Sequence, residues 1–173
     1  MIRPMAKQDI KAVARFHHAA WMDAYRDLLP QETLQKLTPQ HFQHTWEKIL
    51  EDDHRVNLVA VQETMPVGYA SYRQWKKSKR WELLGLYVDP ASMHKGCGTA
   101  LLNAVKKSVQ QKNARLLFVW VIKGNQRAIQ FYQKNRMKFT RKTRRITKEK
   151  MTFQEIQLIQ RFDQNRERQT TNQ

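Results

Sequence analysis

Residues Trp81–Leu102 read WELLGLYVDPASMHKGCGTALL. Leu83, Leu84, Leu86 and Val88 spell a buried strand that stops at Asp89-Pro90. A short loop leads to Lys95-Gly96-Cys97-Gly98-Thr99 and on into an amphipathic helix. That helix carries Leu101, Leu102, Val105 and Val109 on one stripe, with Lys106, Lys107 and Gln110 outside it. Strand, glycine turn and helix N-terminus together make a phosphate cradle. Backbone N–H groups point outward at a helix start, and the helix dipole favours an anion there. Two familiar cradles do not fit. A dinucleotide fingerprint begun at Gly96-x-Gly98 needs a third small residue where the chain has Leu101. A P-loop needs a lysine after its last glycine, and Thr99 follows Gly98.

Upstream, Met1–Met5 reads as a short strand that Pro4 confines to an edge. Ile10, Val13, Ala14, His17, Ala20, Trp21 and Ala24 recur at helical spacing, with Asp9 in the first turn, where a negative charge suits the dipole. Leu28-Leu29-Pro30 breaks that helix. A second helical segment carries Leu34 and Leu37, and Pro39 opens a third through Phe42, Trp46 and Ile49. Val56–Gln62 and Val67–Trp75 read as an antiparallel hairpin with Met65-Pro66 as its turn signal.

Downstream, Ala114–Ile122 (ARLLFVWVI) is an apolar run suited to a central strand covered on both faces. Asn125 is a good N-cap for a helix carrying Ala128, Ile129, Phe131 and Tyr132. Met137–Ile146 and Met151–Phe162 read as a closing strand pair. The order β, helices, β, β, β, α, β, α, β, β predicts an α/β (α+β mixed sheet) fold with helices on its faces. One domain over residues 1–162 is expected, with 163–173 a polar, frayed tail.

Composition narrows the classes. The 173 residues are 40% apolar with five tryptophans, which argues against a disordered chain. Thirty-two Lys and Arg against 15 Asp and Glu leave a net charge of +17. Such a charge speaks of partners and solubility rather than of fold: a solvated surface, a polyanion such as CoA, an acidic substrate or nucleic acid. The basic loop Arg73–Arg80, flanked by Trp75 and Trp81, keeps a nucleic-acid module in view, since cations interleaved with aromatics stack bases. The run Lys134–Lys150 is the strongest charge cluster. Cys97 is the single cysteine, which excludes an internal disulfide and a Cys-rich zinc site. His17-His18 and His41-x-x-His44 lack partners at ligand spacing, so no metal is expected. No secretory leader and no apolar run of the roughly 18 residues needed to span a bilayer is visible, so the expected compartment is the cytoplasm, away from membranes.

Four separated stretches resemble, in order, the GNAT superfamily of N-acetyltransferases. WMDAYRDLLPQETLQKL (residues 21–37) is similar to the helical opening of many bacterial members, and ELLGLYVDP (82–90) to the family's fourth strand. MHKGCGTALL (93–102) resembles its Arg/Gln-x-x-Gly-x-Gly/Ala segment. NQRAIQFYQKNRMKF (125–139) resembles its Asn-x-x-Ala-x-x-Phe-Tyr helix and the turn after it. Met93 stands where the family usually has Arg or Gln, and Arg136 where it usually has Gly. A non-glycine residue there costs on the order of 1 kcal/mol if φ is positive.

The resemblance implies a GNAT-like acyl-CoA N-acyltransferase fold, with a mixed, mostly antiparallel sheet and helices on both faces. It implies transfer of an acetyl group from acetyl-CoA to a primary amine, of a small molecule or a protein, by direct attack in a ternary complex. His94, Lys95, Gly96, Cys97, Gly98 and Thr99 would then hold the pyrophosphate, Leu86, Tyr87 and Val88 the pantetheine amides, and Asn125, Ala128 and Tyr132 further parts of the cofactor. An N–H near Leu86 or Tyr87 would meet the oxyanion. Tyr132 matches the acid that protonates the leaving thiolate, and Glu82 a carboxylate that serves many members as general base, others using a water chain. A homodimer, a catalytically silent acyl-CoA sensor and a nucleic-acid module on the same fold remain alternatives, nucleic acid being disfavoured.

Overall fold

The computed structural model describes residues 1–148 and 151–163. The chain runs β1 (Ile2–Pro4), α1 (Ile10–Tyr25), α2 (Gln31–Lys36), α3 (Pro39–Leu50), β2 (Arg55–Gln62), β3 (Met65–Gln74), β4 (Arg80–Val88), α4 (Cys97–Gln111), β5 (Leu116–Ile122), α5 (Gln126–Lys134), β6 (Lys138–Lys148) and β7 (Met151–Arg161). The described strands form one sheet in the order β1-β2-β3-β4-β5-β7-β6. Every pairing is antiparallel except β4 with β5. This is the GNAT-type mixed sheet that the resemblance implied. Residues 164–173 of the expected frayed tail lie outside the described residues.

Local chemistry sets most boundaries. Thr38 caps α3, its Oγ1 accepting from the His41 N–H at 3.2 Å, while Pro39 takes the first turn. Asn125 caps α5 by accepting from the Ala128 N–H at 3.1 Å. Asp9 differs from the simple dipole picture. It is buried just ahead of α1, where Arg3 donates to it twice at 2.7 and 2.8 Å and the Ala6 N–H at 2.8 Å. The hairpin turn is Glu63-Thr64, and Met65-Pro66 belong to β3 instead, with Pro66 opposite Val61. Proline is tolerated there because the Val61 carbonyl accepts from the Met1 ammonium at 2.9 Å and needs no N–H from residue 66.

The helices cover both faces. On one, α4 and α5 bury Leu101, Leu102, Val105 and Ile129 against Ala70, Leu83, Val119 and Leu158. On the other, α1 and α3 bury Val13, Phe16, Phe42 and Trp46 against Val59, Val61 and Tyr69. Tyr25, Leu29 and Leu34 at the α1–α2 corner close over Ile122 and Phe153. Each fully buried leucine contributes roughly 1.5–3 kcal/mol by leaving water. Adjacent residues of β2, Val59 and Ala60, fall in opposite layers, as strand alternation requires.

The fourth strand is less buried than its apolar run suggests. Trp81 and Leu83 are core residues, but Leu84 through Val88 are half-buried. Against β3, Ser71 faces Gly85 and Tyr72 faces Leu83, so Leu84 is an extra residue and β4 bulges there. A bulge bends its strand and ends pairing locally. The β4–β5 ladder accordingly stops at Leu83↔Val119, although both strands run on.

Candidate active site

The fork between β4 and β5 leaves the β5-facing edge of Leu86, Tyr87 and Val88 without a ladder partner. A cavity of about 360 Å³ opens there. Leu86, Tyr87 and Val88 line one wall, the turn before α4 a second, and Asn125, Ala128 and Tyr132 of the α5 side a third. Ala20 and Ala24 of α1 close it from the other face. Alanines at these positions leave room that larger side chains would fill.

The turn has the geometry an anion needs. Gly96 caps α4 with φ 78°, a left-handed conformation open to glycine at no cost. Gly98 stands in the first turn of α4, where a Cβ would lie 3.2 Å from Phe131 Cε2, so only glycine lets α5 approach this closely. His94, Gly96, Cys97, Gly98 and Thr99 all line the cavity; the exposed Lys95 does not. His94 also has positive φ, at 63°.

Cys97 is half-buried, and its Sγ is aimed at β3, where a methyl on Gly68 would lie 3.1 Å from it. Burial pushes the thiol above its ordinary range, against the thiolate that a helix N-terminus alone would favour. The α5 end of the site is fixed by the turn at Arg136, whose φ of 66° is the left-handed conformation foreseen for it. Lys106 braces that turn by donating to the Asn135 carbonyl at 2.6 Å.

Phenols gather at the inner end. Tyr132 is buried, lines the cavity and makes no hydrogen bond to a described residue. Burial, helped by the neighbouring Tyr25, pushes its hydroxyl well above the ordinary phenol range, so it keeps its proton. Tyr87 and Tyr25 share a hydrogen bond at 3.2 Å, and both are likewise raised by burial. Tyr69 lies beneath them, 2.9 Å from His17 Nε2, while Trp46 Nε1–H donates to His17 Nδ1 at 3.1 Å. Indole only donates, so neutral His17 carries its proton on Nε2 and gives it to Tyr69. His17 is a packed, hydrogen-bonded histidine.

Glu82 stands elsewhere. It is buried beyond the closed end of the fork, outside the cavity lining, and its Oε2 accepts from Arg73 Nε and Nη2 at 3.1 and 2.9 Å. Trp81 is also a core residue, 5% exposed, with Lys112 Nζ 5.1 Å from its ring centre. The loop Arg73–Arg80 therefore does not offer two tryptophan faces. Among the described residues no group of three or more His, Cys, Asp or Glu is placed to hold a metal, and no helix is long and apolar enough to cross a membrane.

Sequence reasoning missed Arg127. It lines the cavity from the first turn of α5, with Nη1 3.5 Å from Met93 Sδ and 2.6 Å from Asp23 Oδ2. The only available signal was its place two residues after the cap Asn125.

Comparison with known proteins bears on the family and the fold. The model of the acetyltransferase (GNAT) family matches residues 18–137. An uncharacterized N-acetyltransferase of Bacillus subtilis, YuaI, is 29% identical over 136 residues, which is 76% of this chain and 76% of that protein. Among solved structures, the PaiA N-acetyltransferase of Thermoplasma acidophilum, in complex with coenzyme A, superposes with a TM-score of 0.72 at 18% identity, covering 94% of this chain and 98% of that one. The yncA protein of Salmonella typhimurium, with its cofactor acetyl-CoA, gives 0.68 at 16% identity, covering 94% of each. At these identities the two structures speak for the fold alone.

Proposed function

The chain belongs to the acetyltransferase (GNAT) family and is an acetyltransferase, and from that premise we propose that it moves an acetyl group from acetyl-CoA to a primary amine by direct attack in a ternary complex. One observation carries this reading: residues of the β4–β5 fork, the Gly96–Gly98 turn and Tyr132 line a single cavity. The residues present fit the cofactor. A pyrophosphate meets the start of a 15-residue helix approached through glycines. A pantetheine arm meets the strand edge of Leu86, Tyr87 and Val88, which would otherwise expose unpaired amides. Acetyl-CoA, when bound, supplies the activated thioester.

The chain's own groups then divide the work. A β4 N–H in the fork, at Leu86 or Tyr87, donates to the carbonyl oxygen as it gains charge. Tyr132, still protonated, gives its proton to the departing thiolate. Asn125 keeps the first turn of α5, and with it Tyr132, against the cavity. Glu82, paired with Arg73 outside the cavity lining, takes no proton in this scheme. The ammonium proton of the acceptor leaves through water, and the second proton that the nitrogen sheds after attack restores the Tyr132 phenol.

Tyr132→Phe tests the scheme. Loss of a general acid lowers kcat by about 100-fold or more, while calorimetry gives an unchanged acetyl-CoA Kd. An unchanged kcat would remove Tyr132 from the acid role.

A further inference from the structure

Strand alternation places Phe118, Trp120 and Ile122 of β5 on the face opposite α4, because Val119 and Val121 belong to the α4-side core. Trp120 is the first β5 residue past the last β4 pairing, so its half-buried ring lies at the fork on the side facing α1. An acceptor approaching the inner end of the cavity from that side meets it. Arg144 of β6 lies over this ring, with Cζ 4.4 Å from its centre. Packed side chains link this neighbourhood to the cavity wall. Tyr87 lines the cavity and hydrogen-bonds Tyr25, and Tyr25 packs in one cluster with Ile146, two residues along β6 from Arg144.

The charges here are arranged unevenly. Glu155 is held by Arg144 Nε at 2.6 Å, and Glu82 by Arg73, with Arg144 Nη1 4.0 Å from Glu82 Oε1. Both carboxylates are buried, at 4% and 7% side-chain exposure, whereas the two arginine side chains are 36% and 37% exposed. Arg144 Nη1 and Nη2 hydrogen-bond no described residue. The approach side thus shows a guanidinium, pinned by stacking and by one carboxylate, with its terminal donors unspent. A polycationic acceptor finds no unpaired carboxylate among these groups. An anion finds a planar, preorganised fork.

Resting on the acetyl transfer proposed above, we propose that the acceptor is an amine carrying its own carboxylate or phosphate a few bonds from the nitrogen, and that Arg144 binds that anion. Product-like probes test this by calorimetry on the CoA-saturated protein. N-acetylglycine and N-acetylethanolamine phosphate represent the two anions, N-acetylglycinamide the neutral control and N-acetylspermidine the polycation. At least one anionic probe should bind about tenfold tighter than the amide, the worth of one charge-assisted pair. The better of the two names the anion. Arg144→Gln should bring the ratio to about one and leave CoA affinity as it was, with Arg144→Lys keeping part of the preference. A purely structural role for Arg144 would lower stability without touching that ratio. Equal binding of acid and amide by the wild type, tightest binding of the polycation, no binding of any probe, or a ratio that survives in Arg144→Gln would each overturn the proposal. Failure of CoA itself to bind would instead strike the acetyl-transfer reading, and this proposal with it.

Discussion

Arg127 on α5 reaches across to Asp23 on α1, Nη1 to Oδ2 at 2.6 Å, and the same guanidinium touches Met93 at the loop before α4. Three elements that border the cavity are thereby tied by one side chain. Met93 stands where the family resemblance expects Arg or Gln, so the cation at this corner comes from α5 instead. The pair is 54% and 36% exposed, and exposed pairs contribute at most about 1 kcal/mol. Asp23→Asn should therefore shift the melting temperature little. It frees Arg127 for an anionic ligand, and acetyl-CoA affinity should rise up to about fivefold by calorimetry. Weaker binding in that variant would show that the pair shapes the site rather than competing for it.

Of the five tyrosines, Tyr25, Tyr69, Tyr72 and Tyr132 are buried and Tyr87 is half-buried, and loss of solvent raises each above the ordinary value of 10.0. Below pH 10 both the folded and the unfolded chain keep these protons. Above it the unfolded chain releases them first, so stability falls by about 1.4 kcal/mol per pH unit for each phenol still protonated in the fold. Ultraviolet titration should show no phenolate until the chain unfolds, and then all of it in one step. A gradual rise in phenolate near pH 10 in folded protein would contradict this.

Cys97 should behave as a packed thiol. With Sγ against Gly68 and its pKa raised by burial, iodoacetamide labelling of the native protein should be slower than that of a free thiol. Cys97→Ala should keep acetyl-CoA affinity and turnover, losing about 1 kcal/mol of stability at most. Abolished turnover with intact binding would restore a nucleophilic role.

Glu82→Gln separates structure from catalysis. Removing the charge opposite Arg73 should cost about 2 kcal/mol in denaturant unfolding, discounted for the exposure of the arginine. The shape of the pH–rate profile should stay. A loss of about 100-fold in kcat with the acidic limb abolished would make Glu82 the base after all.

The parts of this molecule that sequence could reveal are those set by local chemistry. Pro39, the cap Asn125 and the stripe Leu101–Val109 each follow from neighbours within a few positions, whereas the left-handed turn at Arg136 is suggested only by the family's usual glycine there. The bulge at Leu84 does not, because it exists only in register with β3, and without it the apolar run Leu83–Val88 looks uniformly buried. Glu82 was read from its place in a motif, and only tertiary structure brings Arg73 to it. The Arg127–Asp23 pair joins residues 104 positions apart, beyond any local signal.

The central claim is that the Gly96–Thr99 turn and the β4–β5 fork together hold acetyl-CoA. Gly98→Glu, measured by isothermal calorimetry beside circular dichroism, tests it most directly, since a Cβ there already meets Phe131 at 3.2 Å. One acetyl-CoA should bind per wild-type chain, and about 100-fold more weakly, or not at all, to a folded variant that sets a carboxylate against the pyrophosphate. Wild-type protein that fails to bind acetyl-CoA, or a folded Gly98→Glu variant that binds it equally well, would contradict the claim.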